Sequence, residues 1–271
     1  MKFAICNEVF EGWAFEDMCR AAKAAGYEGI EVAPFTLAPR ITDVTAPQRA
    51  ELRAKAQTAG VEIIGLHWLL AGTQGLYLTS PDEDVRARTA DYIIALGQAT
   101  KDLGGSLMVF GSPKQRSLLP GVSPEQAFDW ATGIFRHVMP AVSDAGVTIC
   151  MEPLSPAETD FITTCAEGER LVQAVNHPAF RLHLDVKAMS SEPTPVTDLI
   201  RRYGGAAGHF HANDVNLRGP GFGDVDFVPI FRALRESGYQ GWVSVEVFDY
   251  KPDPVTIAEQ SVQYMQRSLA P

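Results

Sequence analysis

The stretch DAGVTICMEPL, residues 144–154, closes an amphipathic segment at Gly146, passes through a β-branched and apolar run, and turns polar at Glu152. A glycine after a helical segment accepts the left-handed conformation that ends helices. A short apolar run rich in β-branched residues then suits a strand covered on both faces. The same unit recurs as AAGYEGIEVAPF, TAGVEIIGLHWL, DLGGSLMVFGSP and ESGYQGWVSVEVFD. Further strand candidates are KFAICNE, FRLHLDVKA and GHFHAND. Between the strands lie helical patterns near 14–25, 47–59, 83–103, 124–145, 164–176, 196–203, 228–237 and 254–268. SPDE at Ser80 and SPEQ at Ser123 each offer a serine N-cap, a proline at the first helical position and Glu or Gln three residues on.

Eight strand–helix units in 271 residues match the count and size of a single-domain (β/α)8 TIM barrel spanning 1–271. A doubly wound open sheet is the rival, but no GxGxxG follows the first strand. Hydrophobic residues make up 46% and charged residues 21%, with a formal net charge of −10 from 23 basic and 33 acidic residues. That balance disfavours a nucleic-acid partner, and no apolar run approaches the roughly 20 residues of a membrane span. Cys6, Cys19, Cys150 and Cys165 show no CxxC spacing and read as small buried residues. A reduced, cytoplasmic location is the expectation.

A barrel carries its functional groups where strands end. Strands five to eight end in Glu152, Asp185, His211 and Glu246. Alternation places His183, Asp185 and Lys187 on one face of strand six, His209, His211 and Asn213 on one face of strand seven, and Ser244 with Glu246 on strand eight. Three carboxylates and an imidazole at an apolar mouth call for a cation. The oxygen-rich set suits one divalent ion, Mn²⁺ first, with Mg²⁺ and Co²⁺ as alternatives. His183 and His209 fall one layer lower, as second-tier or core residues, while His137 and His177 receive no role. His67 and Glu31 are candidates for lining the mouth, and Phe10, Trp13 and Phe35 for an apolar wall above it. The loop Lys114-Gln115-Arg116 reads either as an anion clamp or as a solvated segment. Glycines and acidic residues in RGPGFGDVDF, 218–227, read as a turn-rich loop, not a phosphate cradle.

MEPLSPAETDF, HLDVKAM, GHFHANDVNLRGPGFGDVDF and GWVSVEVF together resemble the xylose-isomerase-like superfamily of sugar isomerases and epimerases, nearest to the ketose 3-epimerase (tagatose/psicose 3-epimerase) branch. The resemblance spans essentially the whole chain. It implies that Glu152, Asp185, His211 and Glu246 hold the metal and that Glu152 and Glu246 form an acid/base pair acting through an enediolate. Glu158 matches a substrate contact six residues after the first ligand. The chain departs from that branch at Ala188, where the branch has His, at Leu217, where it has Arg with Arg218 one place later here, and at Ser155-Pro156-Ala157. Lys187, Arg218, His67 and Asn213 are therefore added to Glu158 as expected substrate contacts. The substrate implied is a ketose or related keto-polyol, and the assembly a homodimer or homotetramer. The same enediolate also serves a lyase such as a keto-inositol dehydratase. A nuclease like endonuclease IV is the remote alternative, disfavoured by the acidic charge and by the lack of a basic DNA-inserting loop.

Overall fold

The computed structural model describes residues 1–269. Its strands are β1 (Lys2–Cys6), β2 (Gly29–Val32), β3 (Glu62–Leu66), β4 (Leu107–Phe110), β5 (Thr148–Met151), β6 (Phe180–Asp185), β7 (His209–Ala212) and β8 (Trp242–Val245). All pair in parallel in chain order, and β8 closes on β1, aligning Ala4 with Ser244, to give the expected (β/α)8 barrel. The outer ring is α1 (Phe15–Ala25), α2 (Ala46–Ala59), α3 (Glu83–Leu103), α4 (Pro124–Asp144) and α5 (Cys165–Val175), then, after the single turn α6 (Val186–Met189), α7 (Val196–Tyr203), α8 (Phe227–Glu236) and α9 (Pro254–Leu269).

Local chemistry sets these boundaries. Ser123 caps α4, its Oγ accepting the Gln126 N–H while the Gln126 side chain returns a bond to the Ser123 N–H. The other expected serine cap is corrected. Helix α3 opens at Glu83, and Asp82 caps it by accepting the Asp84 N–H at 2.9 Å, whereas Ser80 accepts the Asp82 N–H. A carboxylate caps as well as a hydroxyl and also faces the positive end of the helix dipole.

The barrel interior is layered. Ala4, Ile64, Leu107, Val109 and Cys150 form an apolar floor against Trp242. Above it, register brings His183 beside His209, then Asp185 beside His211 and His211 beside Ser244. The outward residues of the strands pack with the helices into one continuous core. At Gly65 the β3–β4 contact leaves no room for a side chain, because a Cβ would lie 2.1 Å from the Leu107 carbonyl oxygen. Overpacking against backbone cannot relax through a rotamer change. Gly65→Ala is expected to cost about 3 kcal/mol, the upper end of the usual overpacking range, read as a lower urea midpoint at unchanged slope.

Candidate active site

Four strand ends converge at the mouth. Glu152 leaves β5 with its N–H bonded to the Phe110 carbonyl, and Glu246 leaves β8 with its N–H bonded to the Ala212 carbonyl. Asp185 ends β6, and His211 lies within β7. All four are buried. Glu152, Asp185, His211 and also His183 bring potential ligand atoms within 4.8 Å of one another. Glu246 Oε2 stands 3.1 Å from His211 Nδ1, and Glu152 Oε1 stands 3.9 Å from the same nitrogen. Glu152 and Glu246 line one cavity of about 120 Å³ together with Trp68, Ser112, Glu158 and Phe248.

This concentration of acid is unbalanced. Burial, then Glu246 and Asp185, hold the Glu152 carboxyl well above the usual carboxylate range. Burial and Glu246 push Asp185 up to about 6. At Glu246 burial acts in the same direction but is outweighed by His211 and by the Trp68 indole N–H at 2.8 Å, which together bring it down to about 2. Burial would strip His211 of its proton, yet Glu31 and Glu246 raise its pKa well above the ordinary histidine range. Among the described residues, neither ring nitrogen of His183 has a hydrogen-bond partner, although the nearest Glu152 oxygen is only 3.7 Å away. Orphaned imidazole nitrogens beside crowded carboxylates fit a divalent cation, whose charge offsets the repulsion and whose coordination uses these lone pairs.

A second tier orients the first. Glu31 is fully buried and reaches His209 Nε2 at 2.7 Å and His211 Nε2 at 3.2 Å. With its Nε2 proton donated to Glu31, His211 would direct Nδ1 at a cation that displaced the proton Nδ1 shares with Glu246, the arrangement that a metal-binding imidazole requires. Ser244 Oγ lies 3.1 Å from His209 Nε2. Asn213 donates to Asp185 Oδ2 and accepts the Lys187 N–H at 2.8 Å, while Asp185 Oδ1 accepts the Ala188 N–H. Asn213 thus braces Asp185 and is itself fully buried. His67 and Glu31 are fully buried, and His67 and Glu8 bring potential ligand atoms within 4.8 Å of one on Glu246 at the mouth. His67 lies within the barrel with Nε2 2.7 Å from Glu8, because the register of β3 turns it inward where it needs a partner.

The loop after β4 is divided: Lys114 is exposed, as in a solvated segment, whereas Arg116 turns inward. Arg116 is buried, donating to the backbone carbonyls of Glu152 at 2.6 Å, Ile162 at 3.1 Å and Phe110 at 3.4 Å. It ties the β4 and β5 loops beneath Glu152, since three carbonyls outcompete an anion that would have to reach a closed site. Lys187 Nζ bonds Glu158 at 2.6 Å and sits 4.2 Å from the Phe248 ring centre. Arg218 pairs with Asp249 at 3.0 Å. Phe10 is buried edge-on to Trp13, and Phe35 packs on Trp68, which packs in turn on Phe248. Trp68, Glu8 and Phe248 are site neighbours that the sequence pattern did not single out. Trp68 follows a strand end, but its positive φ of 51°, which aims the indole at Glu246, leaves no local trace.

The profile of the xylose isomerase-like TIM barrel family matches residues 19–268, and the chain belongs to that family. It is 29% identical over 230 residues to a D-psicose 3-epimerase of Ruminiclostridium cellulolyticum, covering 82% of this chain and 74% of that one. The fold superimposes on a D-psicose 3-epimerase from Clostridium cellulolyticum H10, crystallised with D-tagatose, with a TM-score of 0.88 at 22% identity over the whole of both chains. A 3-keto-D-glucoside 4-epimerase from E. coli gives 0.85 at 20% identity, covering 98% of this chain and 99% of that one. No described helix is long and apolar enough to cross a membrane.

The raised Asp185 pKa has a sign that can be measured. Between an unfolded value near 4 and the folded value of about 6, the native state holds a proton that the unfolded chain has lost, so stability falls as pH rises. Chelator-treated protein is therefore expected to lose about 2–3 kcal/mol relative to Asp185→Asn across that window, followed by urea unfolding at each pH. Adding Mn²⁺ at 100 times its Kd should stabilise the wild type by about 2.7 kcal/mol and leave Asp185→Asn nearly unmoved.

Proposed function

We propose that the protein is a divalent-metal-dependent epimerase of a ketose or related keto-polyol, with Glu152, Asp185, His211 and Glu246 as ligands and Glu152 and Glu246 as the acid/base pair. The observation that carries this reading is the shared cavity, whose wall holds both carboxylates, with His211 Nδ1 3.1 Å from Glu246 and 3.9 Å from Glu152. Membership in the family and the likeness to named 3-epimerases support the reaction class.

When bound, a divalent ion of the Mn²⁺ class supplies positive charge that acidifies the C–H beside the carbonyl and stabilises the enediolate. The chain supplies the rest. One glutamate removes the proton from that carbon, and the C–H electron pair moves into the enediolate. The other glutamate returns a proton to the opposite face, so the carbon inverts with no net change in atoms. Glu31, through His211, and Asn213, through Asp185, hold the ligand side chains still. Trp68 and Phe248 exclude water from one side of the cavity, and its indole N–H keeps Glu246 oriented. Lys187 and Glu158 stand at the cavity edge where sugar hydroxyls would meet them.

The test is proton exchange. Metal-loaded protein incubated with ketoses in D₂O should place deuterium at the carbon beside the carbonyl and yield the epimer. Release of water with a new ultraviolet absorbance would assign a lyase instead. Glu246→Gln is expected to lower the exchange rate by about 10²–10⁴-fold, while a stopped-flow assay retaining wild-type turnover would remove Glu246 from the proton transfer.

A further inference from the structure

The catalytic cavity does not end at its own wall. At about 120 Å³ it is smaller than the roughly 300–1,000 Å³ usual for small-molecule sites. A second cavity of about 520 Å³ adjoins it, and Glu158 and Phe248 line both. The outer wall is completed by Val215, Leu217, Ser190 and Ser191. Among the described residues, the charged groups that line it are Lys187 and Glu158, which neutralise each other.

The apolar part of this wall is built and held. Asp214 is fully buried, and its carboxylate accepts the N–H groups of Asn216 and Val225, folding the loop after β7 around itself. That fold turns Val215 and Leu217 outward, with 53% and 45% of their surface exposed. Leu217 has a φ of 71°, a left-handed conformation unfavourable for a branched side chain. It is kept there by the Phe248 and Asp249 N–H groups, both of which donate to its carbonyl. Strain maintained at the rim of a site to expose an apolar side chain indicates something that covers it.

We infer that the substrate carries an uncharged second moiety, a sugar ring or aglycone joined to the reacting ketose, and that this moiety occupies the outer cavity against Val215, Leu217 and Phe248. The inference rests on the epimerase reading and extends it to the class of substrate. An internally paired lysine gives no net attraction for a phosphate or carboxylate, while hydroxyls at Ser190 and Ser191 and an apolar wall suit the mixed surface of a glycosidic group.

The experiment compares free D-fructose and D-tagatose with lactulose, isomaltulose and 1-O-benzyl-D-fructose, which place the second moiety on different oxygens. With metal-loaded protein in D₂O, at least one substituted ketose is expected to exceed its free counterpart tenfold in kcat/KM, mainly through a lower KM. Leu217→Asn suits the left-handed backbone better than leucine, so it should not lower the Tm, yet it should remove most of that preference. Saturation transfer to the phenyl protons of 1-O-benzyl-D-mannitol, which lacks the carbonyl, should weaken in the same variant. Exchange confined to the free ketoses overturns this inference and leaves the epimerase reading standing; exchange with none overturns both. If Val215→Asp changes the oligomeric mass by light scattering and leaves the substrate preference intact, the patch is a contact between copies and the inference fails.

Discussion

Repulsion among three buried carboxylates is the constraint on which the rest of the mouth depends. Glu152, Asp185 and Glu246 approach one imidazole in a space that water cannot fill freely, and burial opposes their ionisation. The surrounding groups answer that repulsion one carboxylate at a time. Trp68 and His211 keep Glu246 charged, Asn213 and the Ala188 N–H hold Asp185, and Glu152 is left with no donor closer than the 3.7 Å approach of His183. The least satisfied carboxylate and the least satisfied histidine thus face each other, which is the electrostatic form of a cation site.

The support extends downward. Glu31 joins two histidines of β7 from the far side of the barrel, and Glu8, in the turn that follows β1, fixes His67. The interior is therefore apolar at its floor and a connected polar network above it. Such a network stabilises only when nearly every member is partnered. Its exceptions, at His183, His209 Nδ1, His67 Nδ1 and Glu8 Oε1, cluster in this tier. A fold that leaves those atoms unpaired gives up stability next to the site, as functional centres commonly do.

The parts legible in the sequence were those governed by local periodicity. Alternation in HLDVK and HFHAN was enough to turn Asp185 and His211 inward, and apolar runs, five of them behind a helix-ending glycine, located the eight strands and the helices between them. Pairings across long separations were not legible. Arg116 reads as a loop cation until its three carbonyl partners, up to 46 residues away, are seen. The pairing of His67 with Glu8 is equally invisible in the sequence. The Ser80 cap failed for a different reason: two residues two positions apart competed for one helix end, and the carboxylate at Asp82 prevailed.

Backbone strain follows the same division between the two ends of the barrel. Of the five non-glycine residues with positive φ, Trp68, Ser112, Ile162 and Leu217 lie on loops that follow β3, β4, β5 and β7, and only Asn176 ends a helix at the opposite face. Each strained residue on the mouth side does identifiable work. Trp68 aims an indole at Glu246, Ser112 donates no cap but accepts the Leu70 N–H, Ile162 offers a carbonyl to Arg116, and Leu217 accepts two N–H groups while exposing its side chain. Five of the seven exposed large hydrophobic residues, Trp13, Phe35, Trp68, Val215 and Leu217, also lie on strand-following loops. Strain and exposed apolar surface are thus concentrated on the face where loops can vary without disturbing the register of the strands. The strands and their glycine-ended helices determine where the carboxylates meet; the strained loops determine what can reach them.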